Sequence, residues 1–425
     1  MKFPTIPVAE LLRTGEAEVK TGPFGTQLKA SDYVSEGTPV INVRNIGFGN
    51  IREDKLEYIG KETVQRLASH LLRPEDIVFG RKGAVERHVF IQSGQSNWFQ
   101  GSDCLRLRLS SGRLFPRFVS YYLLTHEHQQ WMMSQCSHGA TMASLNQDII
   151  SRIQLPCPPV DTQRRIASIL SAYDDLIENN TRRIAILEEM ARRIYEEWFV
   201  RFRFPGYEQV KMVESELGLI PEGWQVTNLD AVSEYINRGL TPKYDDLASG
   251  IVINQKCIRG QKLSYEQVRR QSKPIPADKR VRYGDVLINS TGVGTLGRVA
   301  QVLDERPNCT ADTHVTIVRP GKQVTTHYYG LSLLAREEYF EQQGVGATGQ
   351  TELGRGRVAE TTFIVPPLVV QEHFDELVAP MRQMTVTLTS KNANLRATRD
   401  LLLPKLISGE LDVSTQPEPE EAVAA

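Results

Sequence analysis

The chain compares with itself at a shift near 208 residues, so any fold built from it has to be built twice. Leu155-Pro156-Cys157-Pro158-Pro159-Val160-Asp161-Thr162-Gln163 parallels Val365-Pro366-Pro367-Leu368-Val369-Val370-Gln371, with Pro158/Pro366, Pro159/Pro367 and Gln163/Gln371 in step. Upstream, Gly139-Ala140-Thr141 matches Gly346-Ala347-Thr348, and Pro74-Glu75-Asp76-Ile77-Val78-Phe79 matches Tyr283-Gly284-Asp285-Val286-Leu287-Ile288. Val40-Ile41-Asn42 resembles Val252-Ile253-Asn254, and Ser102-Asp103 falls on Ala311-Asp312. Each match is cheap alone; five in one order are not. The small drift in the shift is what insertions in surface loops produce.

The repeated block is too long for a solenoid unit and divides into a mixed segment followed by a long helix. In the mixed segments, short β-rich runs such as Pro39–Val43, Asp76–Phe79 and Cys104–Leu109 alternate with Gly-rich turns, and Gly250–Ile253 and His314–Val318 repeat that texture. Helical patterns near 116–134 and 326–343 correspond as well. The long helices carry the clearest periodicity. From Ile166 through Leu170, Tyr173, Ile177, Asn180, Ile184, Leu187, Ala191 and Ile194 to Trp198, seam positions alternate by fours and threes. Adding 208 gives Phe374, Val378, Met381, Thr385, Leu388, Asn392, Leu395, Arg399, Leu402 and Leu406, a weaker seam in the same phase. About 40 residues at 1.5 Å each make a rod of about 60 Å. Pro404 is expected to kink or end the second helix. Two ordinary amphipathic helices, each packed on its own domain, would give similar patterns. Matched length, phase and position favour mutual pairing, with Ile184, Leu187 and Ile194 against Leu388, Leu395 and Leu402.

Composition narrows the class. The chain has 425 residues with a formal net charge of −1, so it is neither supercharged nor of a disordered composition. Its 5 cysteines are widely spaced and form no CxxC, which supports neither a disulfide framework nor a zinc finger. No apolar run approaches a membrane span and the N-terminus has no signal-peptide pattern, so a cytoplasmic protein without a membrane partner is expected. Residues 1–155 carry 18 basic and 15 acidic side chains, and 209–365 carry 19 and 18. The slight basic excess suits an anionic partner, and equally suits ordinary solvated faces.

These residues resemble the specificity (S) subunits of type I restriction-modification systems. The resemblance rests on the two-copy layout, the Pro-Pro-x-x-x-Gln motifs at Pro158–Gln163 and Pro366–Gln371, Ile220-Pro221-Glu222-Gly223-Trp224 opening the second copy, and the ending Leu403-Pro404-Lys405-Leu406-Ile407-Ser408-Gly409-Glu410-Leu411. The first copy opens on Phe3-Pro4 instead of Pro-Glu-Gly-Trp, which leaves its first strand poorly placed. The resemblance implies an α+β fold: a tandem pseudo-twofold duplication of two mixed α/β target recognition domains, each followed by a long helix, the helices pairing as an antiparallel coiled coil. The expected boundaries are 1–157 and 209–365 for the recognition domains, 158–208 and 366–413 for the helical spacer arms, and 414–425 for a disordered acidic tail. It also implies double-stranded DNA, two methyltransferase (M) subunits and restriction (R) subunits as partners. No cofactor is expected on this chain, S-adenosylmethionine belonging to the M subunits. The helices would set the spacing of a bipartite site.

The residues agree that catalysis has little to work with here. There is no Walker A sequence, no Asn-Pro-Pro-Tyr or Asp-Pro-Pro-Tyr, and no HExxH. Gly292-Val293-Gly294-Thr295-Leu296-Gly297 fits GxGxxG, but Arg298–Leu303 reads as a strand where a cofactor fingerprint needs a helix. Glu75-Asp76 followed by Arg81-Lys82 loosely resembles a nuclease cluster, yet the second copy keeps only Asp285 of those carboxylates. DNA reading needs phosphate clamps and base-edge donors on loops. In the first copy the candidates are Lys20, Thr21, Phe24, Arg44, Asn45, Arg81, Lys82, His138 and Thr141. In the second they are Arg238, Thr241, Lys243, Gln255, Lys256, Ser290, Thr291, Thr348 and Gln350. No metal ligands are expected. The rival readings are a cofactor-using two-domain transferase built on Gly292–Gly297, and a coiled-coil scaffold without DNA specificity.

Overall fold

A computed structural model describes residues 3–136, 143–346 and 351–414. The chain divides into two compact units, unit 1 from Met1–Glu178 with Ala393–Ala425 and unit 2 from Asn179–Asn392. The division cuts both long helices, the central helix Val160–Tyr195 and the C-terminal helix Leu368–Ser408, so each unit owns a part of both.

In unit 1 the main sheet sets β1 (Ala17–Thr21) against β6 (Cys104–Leu109), then β3 (Ile77–Gly80) and β4 (His88–Phe90), these four antiparallel, with the short strand Phe48–Gly49 added in parallel beside β4. A second sheet pairs β2 (Thr38–Ile41) in parallel with β5 (Phe99–Gln100). Unit 2 repeats the order: β7 (Ser233–Arg238), β11 (Val315–Pro320), β9 (Val286–Asn289) and Val299–Gln301, with β8 (Gly250–Ile253) parallel to β10 (Cys309–Ala311). The first strand of each copy is also equivalent. Thr5–Pro7 pairs with Gln154–Pro156, as Gln225–Asn228 pairs with Thr362–Val365.

The duplication extends to buried charge. Asp76 accepts Nε of Arg108 at 2.7 Å, and Asp285 accepts Nε of Arg319 at 2.8 Å. Each carboxylate also caps its own turn, from the amides of Arg73 and Arg282. A buried carboxylate requires such a partner. One sequence match needs correction. Gly101 N–H donates to the Ile41 carbonyl as Asp312 N–H donates to Ile253, and Arg81 N–H donates to Asp103 as Ser290 N–H donates to His314. The counterpart of Asp103 is therefore His314, two residues beyond the position that side-chain identity suggested. Backbone hydrogen bonds fix equivalence in a turn, and a shared Asp does not.

Each unit closes its core over its share of the long helices. In unit 1, Phe79, Leu105, Leu107 and Phe118 pack with Ile166, Leu170, Leu406 and Ile407. In unit 2, Val286, Ile288, Tyr328 and Phe363 pack with Ala191, Trp198, Phe374 and Val378. Full burial of such side chains stabilises by about 1.5–3 kcal/mol each. Within each unit the helix segments run antiparallel. In unit 2, Tyr195 meets Phe374 edge-on, with centroids 6.4 Å apart, while Asn180 Nδ2 donates to Asn392 Oδ1 at 2.9 Å. In unit 1, Asp174 pairs with Arg399 at 2.6 Å and Arg165 Nη1 donates to the Ser414 carbonyl at 2.8 Å. Two of the polar interruptions in the second seam, Asn392 and Arg399, thus meet polar partners from the first. Of the expected pairing residues, Ile184 and Leu388 are buried, while Leu187, Ile194, Leu395 and Leu402 are half-buried.

Pro404 does not end the second helix, which continues to Ser408. Proline there removes one backbone rung near the helix end, whereas stopping at Leu403 would withdraw Leu406 and Ile407 from the unit 1 core. The Pro-Pro-x-x-x-Gln motif has a structural reason. Gln163 is fully buried; its Oε1 accepts Phe115 N–H, and its Nε2 donates to the carbonyls of Arg113 and Pro158, each at 2.8 Å. Gln371 does the same for Thr325, Gln323 and Pro366. Each glutamine ties the first turn of a long helix to the domain it follows. No helix among the described residues is long and apolar enough to cross a membrane.

Candidate nucleic-acid interface

Strand order decides which loops can meet. β6 lies between β1 and β3, with Leu105 opposite Thr21 and Cys104 opposite Gly80. The segments that follow Thr21 and Gly80 therefore leave the same end of the sheet, on either side of the turn at Gly101–Asp103. The loop after β2 reaches that turn too, since Gly101 bonds to Ile41. Unit 2 assembles the same end from Arg238, Asn289 and Asp312–His314.

In unit 1 the Lys82 ammonium pairs with Asp103 at 3.3 Å, both groups half-exposed. The Arg81 backbone is fixed on both sides, donating to Asp103 and accepting from Leu145. Arg44 pairs with Glu57 at 2.7 Å, and Asn42 donates to the same carboxylate. Lys20 Nζ donates to the Ser69 carbonyl, Thr21 Oγ1 accepts from Gln147, and Phe24 stands exposed. Asn45 is buried. Its amide donates to the carbonyls of Arg52 and Asp54, so it shapes the loop and does not face outward. His138 and Thr141 lie outside the described residues.

In unit 2 the positions of Lys82 and Asp103 are taken by Thr291 and His314, hydrogen-bonded at 2.8 Å. Gln255 Nε2 donates to the same Thr291 hydroxyl at 2.5 Å. Burial raises the Asp312 carboxyl above its ordinary range, against the hydrogen bond it accepts from His314 N–H. Arg238 pairs with Glu352 at 2.7 Å and donates to the carbonyls of Thr313 and Leu353. Ser290 is buried against Thr316 and faces inward. Thr241, Lys243 and Lys256 are exposed. Thr348 and Gln350 lie outside the described residues.

The structure thus brings together Gln255 with Thr291, while Asn45 and Ser290 are turned inward. Sequence reasoning passed over Asp103, His314 and Glu352. The first two were within reach, because the turn they occupy is itself one of the five repeated segments.

Two motifs lose their catalytic readings on geometry. Asp76 is 1% exposed and committed to Arg108, and Glu75 holds a left-handed turn at φ 72° where the second copy has Gly284. Gly292–Gly297 leads into the strand Val299–Gln301, and no helix follows to receive a dinucleotide phosphate. A Cβ on Gly297 would sit 2.3 Å from the Glu341 amide, so that glycine answers a close backbone approach. Among the described residues no His/Cys/Asp/Glu group is placed to hold a metal.

The family model for the type I restriction modification DNA specificity domain matches twice, over residues 19–189 and 221–392. The chain belongs to this family. Among curated relatives, the MjaIX specificity subunit of Methanocaldococcus jannaschii is 26% identical over 301 residues, spanning 69% of this chain and 68% of the relative. The HindI specificity subunit of Haemophilus influenzae is 21% identical over 448 residues, 87% of this chain and 94% of the relative. The crystal structure of the type I S subunit from M. genitalium superposes with a TM-score of 0.63 at 14% identity, covering 96% of each chain, which establishes the shared fold. This specificity subunit is accordingly a recognition protein and not an enzyme, and both copies of its specificity domain contain the sheet ends described above.

Proposed function

We propose that the subunit reads a bipartite, asymmetric site on double-stranded DNA, each unit taking one half-site with its loop-bearing sheet end. One observation carries this reading: the same backbone frame presents Lys82 and Asp103 in unit 1 but Thr291, His314 and Gln255 in unit 2. A repeated frame with unlike reading groups suits two unlike half-sites. The flanking Arg and Lys side chains serve phosphate contacts, which position without specifying. The paired helices set the half-site spacing and dock two methyltransferase subunits, which carry S-adenosylmethionine, with restriction subunits joining that assembly in the cytoplasm. The test is methylome sequencing of a host carrying this chain with its M subunit. A gapped, asymmetric methylated motif is expected. An ungapped or perfectly palindromic motif would overturn the reading.

A further inference from the structure

The geometry points to His314 as a specificity-determining residue of unit 2, presenting, with Gln255, the hydrogen-bond complement of an adenine edge. This rests on the DNA-reading function proposed above. Gln255 donates Nε2–H to the Thr291 hydroxyl, whose own proton is then free to go to His314 Nδ1. A neutral imidazole accepting at Nδ1 carries its proton on Nε2. In the proposed relay Thr291 donates to Nδ1, so the exposed histidine carries its proton on Nε2 and offers an in-plane donor. Gln255 has used an N–H toward Thr291, and among the described residues its Oε1 accepts no hydrogen bond, leaving an acceptor. Gly292 makes room for that carboxamide, since a Cβ there would stand 2.9 Å from Gln255 Oε1, at a φ of 104° that side chains avoid.

A donor beside an acceptor matches the major-groove edge of adenine, whose N7 accepts and whose N6 amino group donates. Guanine would set its O6 against the Gln255 oxygen, acceptor to acceptor. Unit 1 has no such relay, because an ion pair occupies the equivalent positions.

The experiment uses the complex of the full chain with its M subunit and duplexes carrying the methylome-defined motif, at fixed salt. Replacing one adenine of the unit 2 half-site by 7-deazaadenine removes only the N7 acceptor. Binding should weaken about tenfold, within the usual cost of one lost base contact. His314→Ala should weaken binding to unmodified DNA by a similar factor and lose its sensitivity to that 7-deazaadenine. Thr291→Val, which keeps the shape but cuts the relay, should blunt the same sensitivity. Retained bipartite binding that ignores 7-deazaadenine at every adenine of that half-site would overturn the inference alone. So would losses from His314→Ala and 7-deazaadenine that simply multiply. A wild-type complex with no bipartite binding would overturn the parent reading and this one with it.

Discussion

Gln163 offers a clean perturbation because its three hydrogen bonds all end on backbone groups. Truncation to alanine leaves the Phe115 amide and the carbonyls of Arg113 and Pro158 without that partner, at a place where Gln163 is fully buried. At about 1 kcal/mol for each net hydrogen bond, the loss is about 3 kcal/mol, or roughly a hundredfold in a local opening equilibrium. Amide hydrogen exchange reads this at single residues. In Gln163→Ala the Phe115 amide should exchange roughly a hundredfold faster. Thr325, held by Gln371 in unit 2, should keep its rate and serve as the internal control. Gln163→Glu should not rescue: its carboxylate can accept from Phe115 but cannot donate to two carbonyls, and it buries a charge. A Phe115 rate changed less than about threefold, or an equal acceleration at Thr325, would refute the argument that this glutamine anchors one helix to one unit.

Three further outcomes are expected. Burial lowers His88 to about 3, and His70 and His128 to about 4, so in the folded state all three resist a proton that the unfolded chain takes up near 6.5. Unit 1 should therefore lose stability as pH falls from about 6.5, His88 alone contributing about 1.4 kcal/mol per pH unit down toward its folded value. Urea midpoints at pH 7 and 5 test this, and His88→Asn should flatten the slope; a midpoint indifferent to pH would contradict it. One residue inserted after Asn180 turns the following helix by about 100°, throwing Ile184, Leu187 and Ile194 out of phase with the seam positions that precede the insertion, Ile166, Leu170 and Ile177. Assembly with the M subunit should be lost, whereas a four-residue insertion, close to a full turn, should keep both half-sites and lengthen the spacer by about one or two base pairs. Methylome sequencing compares the two variants, and an active four-residue variant with an unchanged spacer would show that the helices do not set the spacing. Exchange of residues 209–365 for those of a related specificity subunit should alter one half-site alone, and a motif altered on both sides would refute the assignment of one half-site to each unit.

Much of this architecture was readable in one dimension because duplication and heptads are periodic. A repeat near 208 residues announces two copies of one fold, and a seam stepping by fours and threes announces long helices whatever their neighbours. The same logic gave Gln163 and Gln371 as paired landmarks, but it could not say why they matter. Their partners, Phe115 and Thr325, lie more than 40 residues upstream and are reached only when the domain closes on the helix. Pro404 shows the converse. Local backbone chemistry argues for a helix end, and burial of Leu406 and Ile407 outweighs one missing rung. The candidate loops were legible as polar residues beside glycine, but not in which side chains face outward. Asn45 and Ser290 look like their neighbours in sequence, yet the fold turns them inward to satisfy backbone and hydroxyl groups. As a site residue His314 is obscured in the sequence, because an Asp two residues earlier offers the better letter match to Asp103. Equivalence in that turn is set by Arg81 and Ser290 amides bonding across to Asp103 and His314. Such bonds join strands far apart in the chain, and so they exist only in the folded sheet.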